Sequence, residues 1–229
     1  MSDRPSRMVR RTHGPKRRMC AYCGKALATT MDHAVPKCLF VPPLPSDMVT
    51  VPACDPCNKR KGEDEEYLRD VLVSDIWCSD HPVAKVLLEG KVSRAIQRNC
   101  SDFAKAVQQH SVQRPLYTPG GIYLGDIPAV RIDSERFRSA ISMIVRGLYH
   151  KLMKQAIPDG YAFDIRRIPR LNAAELWGMM LEKKANGPFN LGDVFDCLFL
   201  YAIEDPGATS WLLVFYDGFV IMVGSVPAE

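Results

Sequence analysis

Histidine is scarce in this 229-residue chain: there are five, and none lies between His33 and His81. Long apolar runs are missing too. None approaches the ~18–20 residues that cross a bilayer, so no membrane span and no membrane partner are expected. The basic N-terminal residues are not followed by the apolar stretch of a secretory signal, and a cytoplasmic protein is expected. The C-terminal two-thirds holds no phosphate-cradling glycine loop, no nucleophile elbow and no paired histidines, so no second catalytic motif is expected there. No internal repeat occurs, and only the basic N-terminal segment is compositionally biased.

What is present suits a globular protein. Hydrophobic residues make up 47% and charged residues 24%, enough to build a core in one large or two small domains. The net charge of +4 is unevenly placed: residues 1–62 hold 12 Lys and Arg against 4 Asp and Glu, so the remainder is net acidic. That asymmetry fits a phosphate-binding module joined to a near-neutral scaffold, although basic tails also serve only for solubility. Of eight cysteines, Cys20, Cys23, Cys54 and Cys57 fall in two Cys-x-x-Cys pairs, whereas Cys38, Cys78, Cys100 and Cys197 are scattered. A secreted disulfide framework does not leave that pattern; a metal site plus buried thiols does.

The organising stretch is Cys20 to Gly62. A tight turn within each Cys-x-x-Cys directs two thiolates to one side, and two such pairs complete the four-sulfur tetrahedron of a structural Zn2+ site. Thirty residues separate the pairs, longer than a compact ribbon needs, and Asp32-His33 lies among them. Asn58, Lys59, Arg60, Lys61 and Gly62 follow the second pair directly. Thr29–Val35 and Met48–Val51 read as strands, with a proline-rich loop between them. Pro56 suits a first helical turn, and Glu63–Val73 shows amphipathic helical spacing behind an acidic start. The order is knuckle, strand, loop, strand, knuckle, helix.

At these residues the chain resembles the HNH endonucleases, over roughly Cys20 to Val73. The resemblance implies a zinc-stapled ββα-metal module. In it Asp32 would be a ligand of a catalytic Mg2+ or Mn2+ and His33 the general base. Asn58 would either brace the loop carrying that base or ligate the cation. A common final ligand histidine has no counterpart here, so Glu63, Asp64 or Asn58 would stand in. Hydrolysis needs a water activated near neutral pH and a hard cation on oxygen donors; His33 and Asp32 are the right residue types for these roles. Arg10, Arg11, Lys16, Arg17, Arg18, Lys59, Arg60 and Lys61 are expected to meet phosphates, with double-stranded DNA as the expected partner. A phage-defence or mobile-element nuclease is one expected role. A zinc-knuckle nucleic-acid-binding protein without catalysis is the alternative.

The expected architecture is α+β: a basic arm over 1–18, the HNH module over 19–75, and an α+β accessory or specificity domain over 76–229 that could dock a second copy or a protein partner. In that last part Pro82–Val112 reads as helical with Gly90 separating two helices. Short extended pieces are expected at 122–124 and 129–132. Ser134 is the expected N-cap of a helix through Gln155. A strand over 161–168 and a helix over 173–184 follow, with Asn186-Gly187-Pro188 as a breaker. Three closing strands are expected at 197–203, 211–216 and 219–223, the last two joined at Asp217-Gly218. Arg146 and His150 share one face of the long helix, where a lone histidine is most simply a boundary residue.

Overall fold

The structure, a computed structural model, describes residues 18–118 and 120–228. Arg10, Arg11, Lys16 and Arg17 lie outside the described residues. The architecture mixes helices with antiparallel sheet. Among the described residues no helix is long and apolar enough to cross a membrane.

The first hairpin pairs β1 (Thr30–His33) with β2 (Thr50–Ala53), with Met31 opposite Pro52, Asp32 opposite Val51 and His33 opposite Thr50. Pro52 is tolerated because a two-stranded ribbon has only edges, where a missing N–H costs no ladder bond. Its carbonyl accepts from Ala21 N at 2.8 Å, tying the first knuckle to the hairpin. Helix α1 (Asp55–Val73) starts at the second knuckle, with Pro56 in its first turn. It therefore begins eight residues before the expected Glu63, and the acidic run Glu63–Glu66 sits in mid-helix rather than at a helix start. The N-terminal half of its buried side is polar: Cys57, Lys61 and Asp64 occupy the helical spacing that Leu68 and Leu72 continue.

Beyond α1, Pro82–Leu87 (α2) runs through a π-helical turn, Leu88–Val92, into Ser93–Arg98 (α3). Gly90 does not break this helix; it ends at Asn99, whose φ of 48° is left-handed. Asp102–His110 (α4) follows, capped by Ser101 Oγ. Next come β3 (Val112–Tyr117) and β4 (Tyr123–Ala129), which form one hairpin where only short extended pieces were expected. Helix α5 (Ser134–Met153) is capped by Asp133, not Ser134, because Asp133 Oδ1 accepts from the Glu135 and Arg136 amides at 3.0 and 3.1 Å.

The C-terminal sheet has five strands in the order β5-β9-β8-β7-β6, all antiparallel. They are β5 (Tyr161–Ile168), β6 (Asn186–Leu191), β7 (Phe195–Tyr201), β8 (Thr209–Phe215) and β9 (Phe219–Pro227). β6 runs through the expected breaker: Gly187, at φ +115°, absorbs the irregularity in its pairing with β7. The β8–β9 turn holds three residues, Tyr216 to Gly218, rather than two. Both faces of the sheet are covered. Cys197, Phe199, Trp211 and Leu213 enter the main core, while the alternating Leu198, Leu212 and Val220 meet α6 (Ala173–Glu182) through Met180. This explains why the strands read as nearly continuous apolar runs.

The main core is continuous from Cys20 to Val223 and includes both the Cys-x-x-Cys region and the larger C-terminal part. Helix α5 makes the connection. At Gly147 it approaches the end of β1 so closely that an added Cβ would stand 2.8 Å from Ala34 Cβ. Tyr67 Oη accepts from Asp133 N at 2.6 Å, and Arg136 bridges to Asp64 at 3.2 Å. Tyr216 Oη donates to Leu39 O at 2.8 Å from the far hairpin.

Gly147→Val should therefore destabilise the protein by roughly 1–3 kcal/mol through overpacking. Gly62→Ala, in α1 with nothing within 4 Å of the added Cβ, should stabilise it by about 0.5–1 kcal/mol. Thermal or denaturant unfolding of the two variants checks both signs.

Candidate metal centre and adjoining acid–base cluster

The two knuckles are built differently. Cys20 and Cys23 flank a turn closed by Gly24 N donating to Cys20 O at 2.8 Å, with Gly24 in the left-handed region at φ +65°. Cys54 is the N-cap of α1 and Cys57 lies one turn on, a spacing that puts both on one side of the helix start. All four Sγ atoms fall within 4.8 Å of one another, and Cys23 and Cys54 are 4.0 Å apart. A tetrahedron with Zn–S of ~2.3 Å separates sulfurs by ~3.8 Å, so this set fits with only a small contraction. The four cysteines can hold a metal ion such as zinc.

The thiols are electrostatically uneven. Burial raises Cys23, but the Ala26 and Lys25 amides and the Cys20 and Cys57 thiols bring it down to about 7. Burial and the hydrogen bond with Cys54 push Cys57 up. Arg146, which the sequence marked only by its spacing from His150, reaches over from α5. Its guanidinium donates to Tyr22 O at 3.4 Å and lies 4.9 Å from the centre of the Phe163 ring. Burial lowers its pKa, as does the Arg60 charge, against Asp159, Cys57 and Cys23. It supplies positive charge near the sulfurs.

Asp32 and His33 end β1 beside α1. On one face of the strand, Thr30 Oγ1 accepts from Asn58 Nδ2 at 3.1 Å, and Asp32 Oδ2 meets Lys61 Nζ at 3.1 Å. The strand's two-residue step is matched by three residues of helix. Asn58 thus braces β1 three residues before His33, not the loop at His33 itself. Lys61, expected to face phosphates, is a correction: its side chain is only 1% exposed. Its ammonium donates to His33 O at 2.8 Å and pairs with Asp32 and Glu65. Burying a lysine requires such partners, and here a carbonyl and two carboxylates supply them. Tyr22 Oη also donates to Asp32 Oδ2, at 2.5 Å. Both contacts fall on Oδ2, and Asp32 Oδ1 has no protein partner among the described residues.

His33 is half-buried, and its pKa lies below the ordinary histidine value. Burial is the main cause, Lys37 and Lys61 add to it, and Asp32 opposes it. Burial raises Glu65, against the opposing charge of Lys61. Of the three residues expected to offer a further ligand, Asp64 is drawn away to Arg136, Glu63 is exposed and Asn58 is held by Thr30. Glu65 is the acidic residue that joins the cluster, and its i, i+4 spacing from Lys61 was the available signal. Lys59, Arg60 and Arg18 are exposed as expected. His150 is half-buried, with its pKa lowered by burial and by Lys154.

Comparison with protein-family models, with curated proteins and with solved structures found no match.

Two variants probe this region. Cys54→Ser should remove the bound metal, read as zinc per chain by atomic emission, and should cost much of the module's cooperative unfolding, since structural zinc is worth roughly 10 kcal/mol or more to such units. Lys61→Met leaves Asp32 and Glu65 facing each other without a counter-charge and should cost roughly 3–5 kcal/mol. That deficit should shrink as the pH falls and Glu65, whose pKa burial raises, takes up a proton, which urea unfolding at two pH values would show.

Proposed function

We propose that this chain is a metal-dependent endonuclease of the HNH type, hydrolysing phosphodiester bonds of DNA at the His33 end of the β1–β2 hairpin. The observation that carries the reading is the pairing, on one strand end anchored by the four-cysteine centre, of an imidazole with a depressed pKa and a carboxylate with a free oxygen. His33 is neutral at pH 7 and can take a proton from an attacking water. Lys61 holds the His33 carbonyl, fixing the backbone from which the imidazole projects. Tyr22 and Lys61 orient Asp32, whose Oδ1 would hold Mg2+ or Mn2+. When bound, such a cation stabilises charge on the phosphate and on the leaving oxygen. Mg2+ keeps several waters and often takes only one or two carboxylates plus substrate phosphates, which suits the lone Asp32. Exposed Lys59 and Arg60 would meet neighbouring phosphates.

A second reading, a zinc-stapled nucleic-acid-binding protein without catalysis, is favoured by one observation: Asp32 Oδ2 is already taken by Tyr22 and Lys61. One experiment separates the two. Plasmid nicking in Mg2+ or Mn2+ is expected for the wild type and lost in His33→Ala carrying its full zinc content. Equal cleavage by both sinks the mechanism; DNA binding without cleavage by either establishes the second reading.

The pH dependence follows from the sign of the His33 shift. A general base works unprotonated, so activity should rise with pH and level off, with a midpoint below the ordinary ~6.5. Lys37 is among the charges holding the pKa down. Lys37→Ala should move that midpoint upward, as a pH profile of kcat/KM would reveal.

A further inference from the structure

Between the outer face of the β1–β2 hairpin and the C-terminal end of α5 lies a cleft of ≈ 680 Å³. Its floor on the hairpin side comprises Met31, Thr50, Val51 and Pro52. Directly paired residues of an antiparallel ribbon share a face, and so do alternate residues along a strand. Met31 pairs with Pro52, Asp32 with Val51 and His33 with Thr50, so the cleft follows β2 past the partners of both Asp32 and His33, with Met31 and His33 on its face and the Asp32 side chain turned toward Lys61 of α1. A two-residue step from Met31 to His33 is about 7 Å. The cleft therefore leads toward the proposed general base.

Its rim is cationic. Arg18 lines it on the knuckle side and Lys151 and Lys154 on the α5 side, and among the described residues no Asp or Glu lines it. Basic residues in a last helical turn have an ordinary explanation in the helix dipole. It accounts well for Lys154, whose Nζ donates to Lys151 O at 2.7 Å. It does not account for Arg18, which belongs to a different element and arrives at the same opening. Arg18 and Lys151 are both exposed.

We infer that this cleft is the track for one strand of the DNA substrate, with Arg18 and Lys151 on its phosphates and the apolar floor beneath its sugars. The inference rests on the nuclease reading and adds to it a binding surface supplied jointly by the knuckle segment and by α5. An anionic occupant follows from the cationic rim of Arg18, Lys151 and Lys154, and a nucleic-acid strand from the course of the cleft along the partners of Asp32 and His33.

The test is binding of a fluorescein-labelled DNA duplex, followed by anisotropy over a range of salt concentrations. The double variant Arg18→Glu/Lys151→Glu should bind at least ~10-fold more weakly at low salt, and its log K against log[salt] slope should be shallower by about 2, one unit per lost phosphate contact. Zinc content and unfolding midpoint should match the wild type. The neutralising pair Arg18→Gln/Lys151→Gln provides the same reading if charge reversal disturbs folding. An unchanged affinity and slope in the folded double variant overturns the track and leaves the nuclease reading standing. Failure of the wild type to bind DNA at all overturns both.

Discussion

Four cysteine sulfurs gathered within 4.8 Å are the constraint on which the rest of this structure depends. Ionised together without a cation they would repel, and a metal ion, which the four can hold, would turn that conflict into a tie. The tie joins a turn at Cys20–Cys23 to the first turn of α1, thirty residues apart in sequence. The β1–β2 hairpin is caught between these two points. Its register and its distance from α1 are then set, which is what allows Thr30 to meet Asn58 and Asp32 to meet Lys61. A hairpin of four-residue strands would be marginal by itself.

The second level of organisation is polar. Along the buried side of α1 the first half carries Lys61 and Asp64 where an ordinary core helix would carry leucine. Each is satisfied by a partner from another element: Lys61 by the end of β1, and Asp64 by Arg136 of α5. Removing either partner alone is costly, whereas the pair itself adds little net stability. Their value is specificity of placement. Lys61 holds both the Asp32 carboxylate and the His33 carbonyl, so one ammonium fixes two neighbouring residues whose side chains leave opposite faces of β1.

Much of this was legible in the sequence, for identifiable reasons. The two Cys-x-x-Cys pairs announced the four-cysteine cluster because thiolate spacing is dictated by coordination geometry. The strand–helix order between and after them followed from short-range patterning, as did α5, α6 and the last three strands. The misses share a cause: they depend on partners far away in the chain. Lys61 reads as one more cation in Asn58-Lys59-Arg60-Lys61, and only the fold reveals that it faces inward. Ser134 and Asp133 are equally good caps on paper, and backbone geometry decides between them. β6 runs across Asn186-Gly187-Pro188 because pairing with β7 outweighs local propensity, with Gly187 taking the φ that another residue would resist. Arg146 and the α5 rim of the cleft carry no local signal at all.

Helix α5 shows why the C-terminal two-thirds is more than an attachment to the knuckles. Its successive turns present Arg146 toward the cysteine cluster, Gly147 against Ala34 and Lys151 to the cleft. The tight contact at Gly147 fixes the distance between the two walls of that cleft. An anionic strand lying between Arg18 and Lys151 would touch both walls, so its binding energy would act on the seam between the knuckle region and α5 as well as on the strand itself. By linkage, such a ligand stabilises the arrangement that binds it. The same seam runs from Gly147 to Ala34, the residue after His33. The position of the imidazole, the width of the cleft and the integrity of the four-cysteine cluster are therefore one mechanical problem, solved by a helix that begins more than a hundred residues downstream of His33.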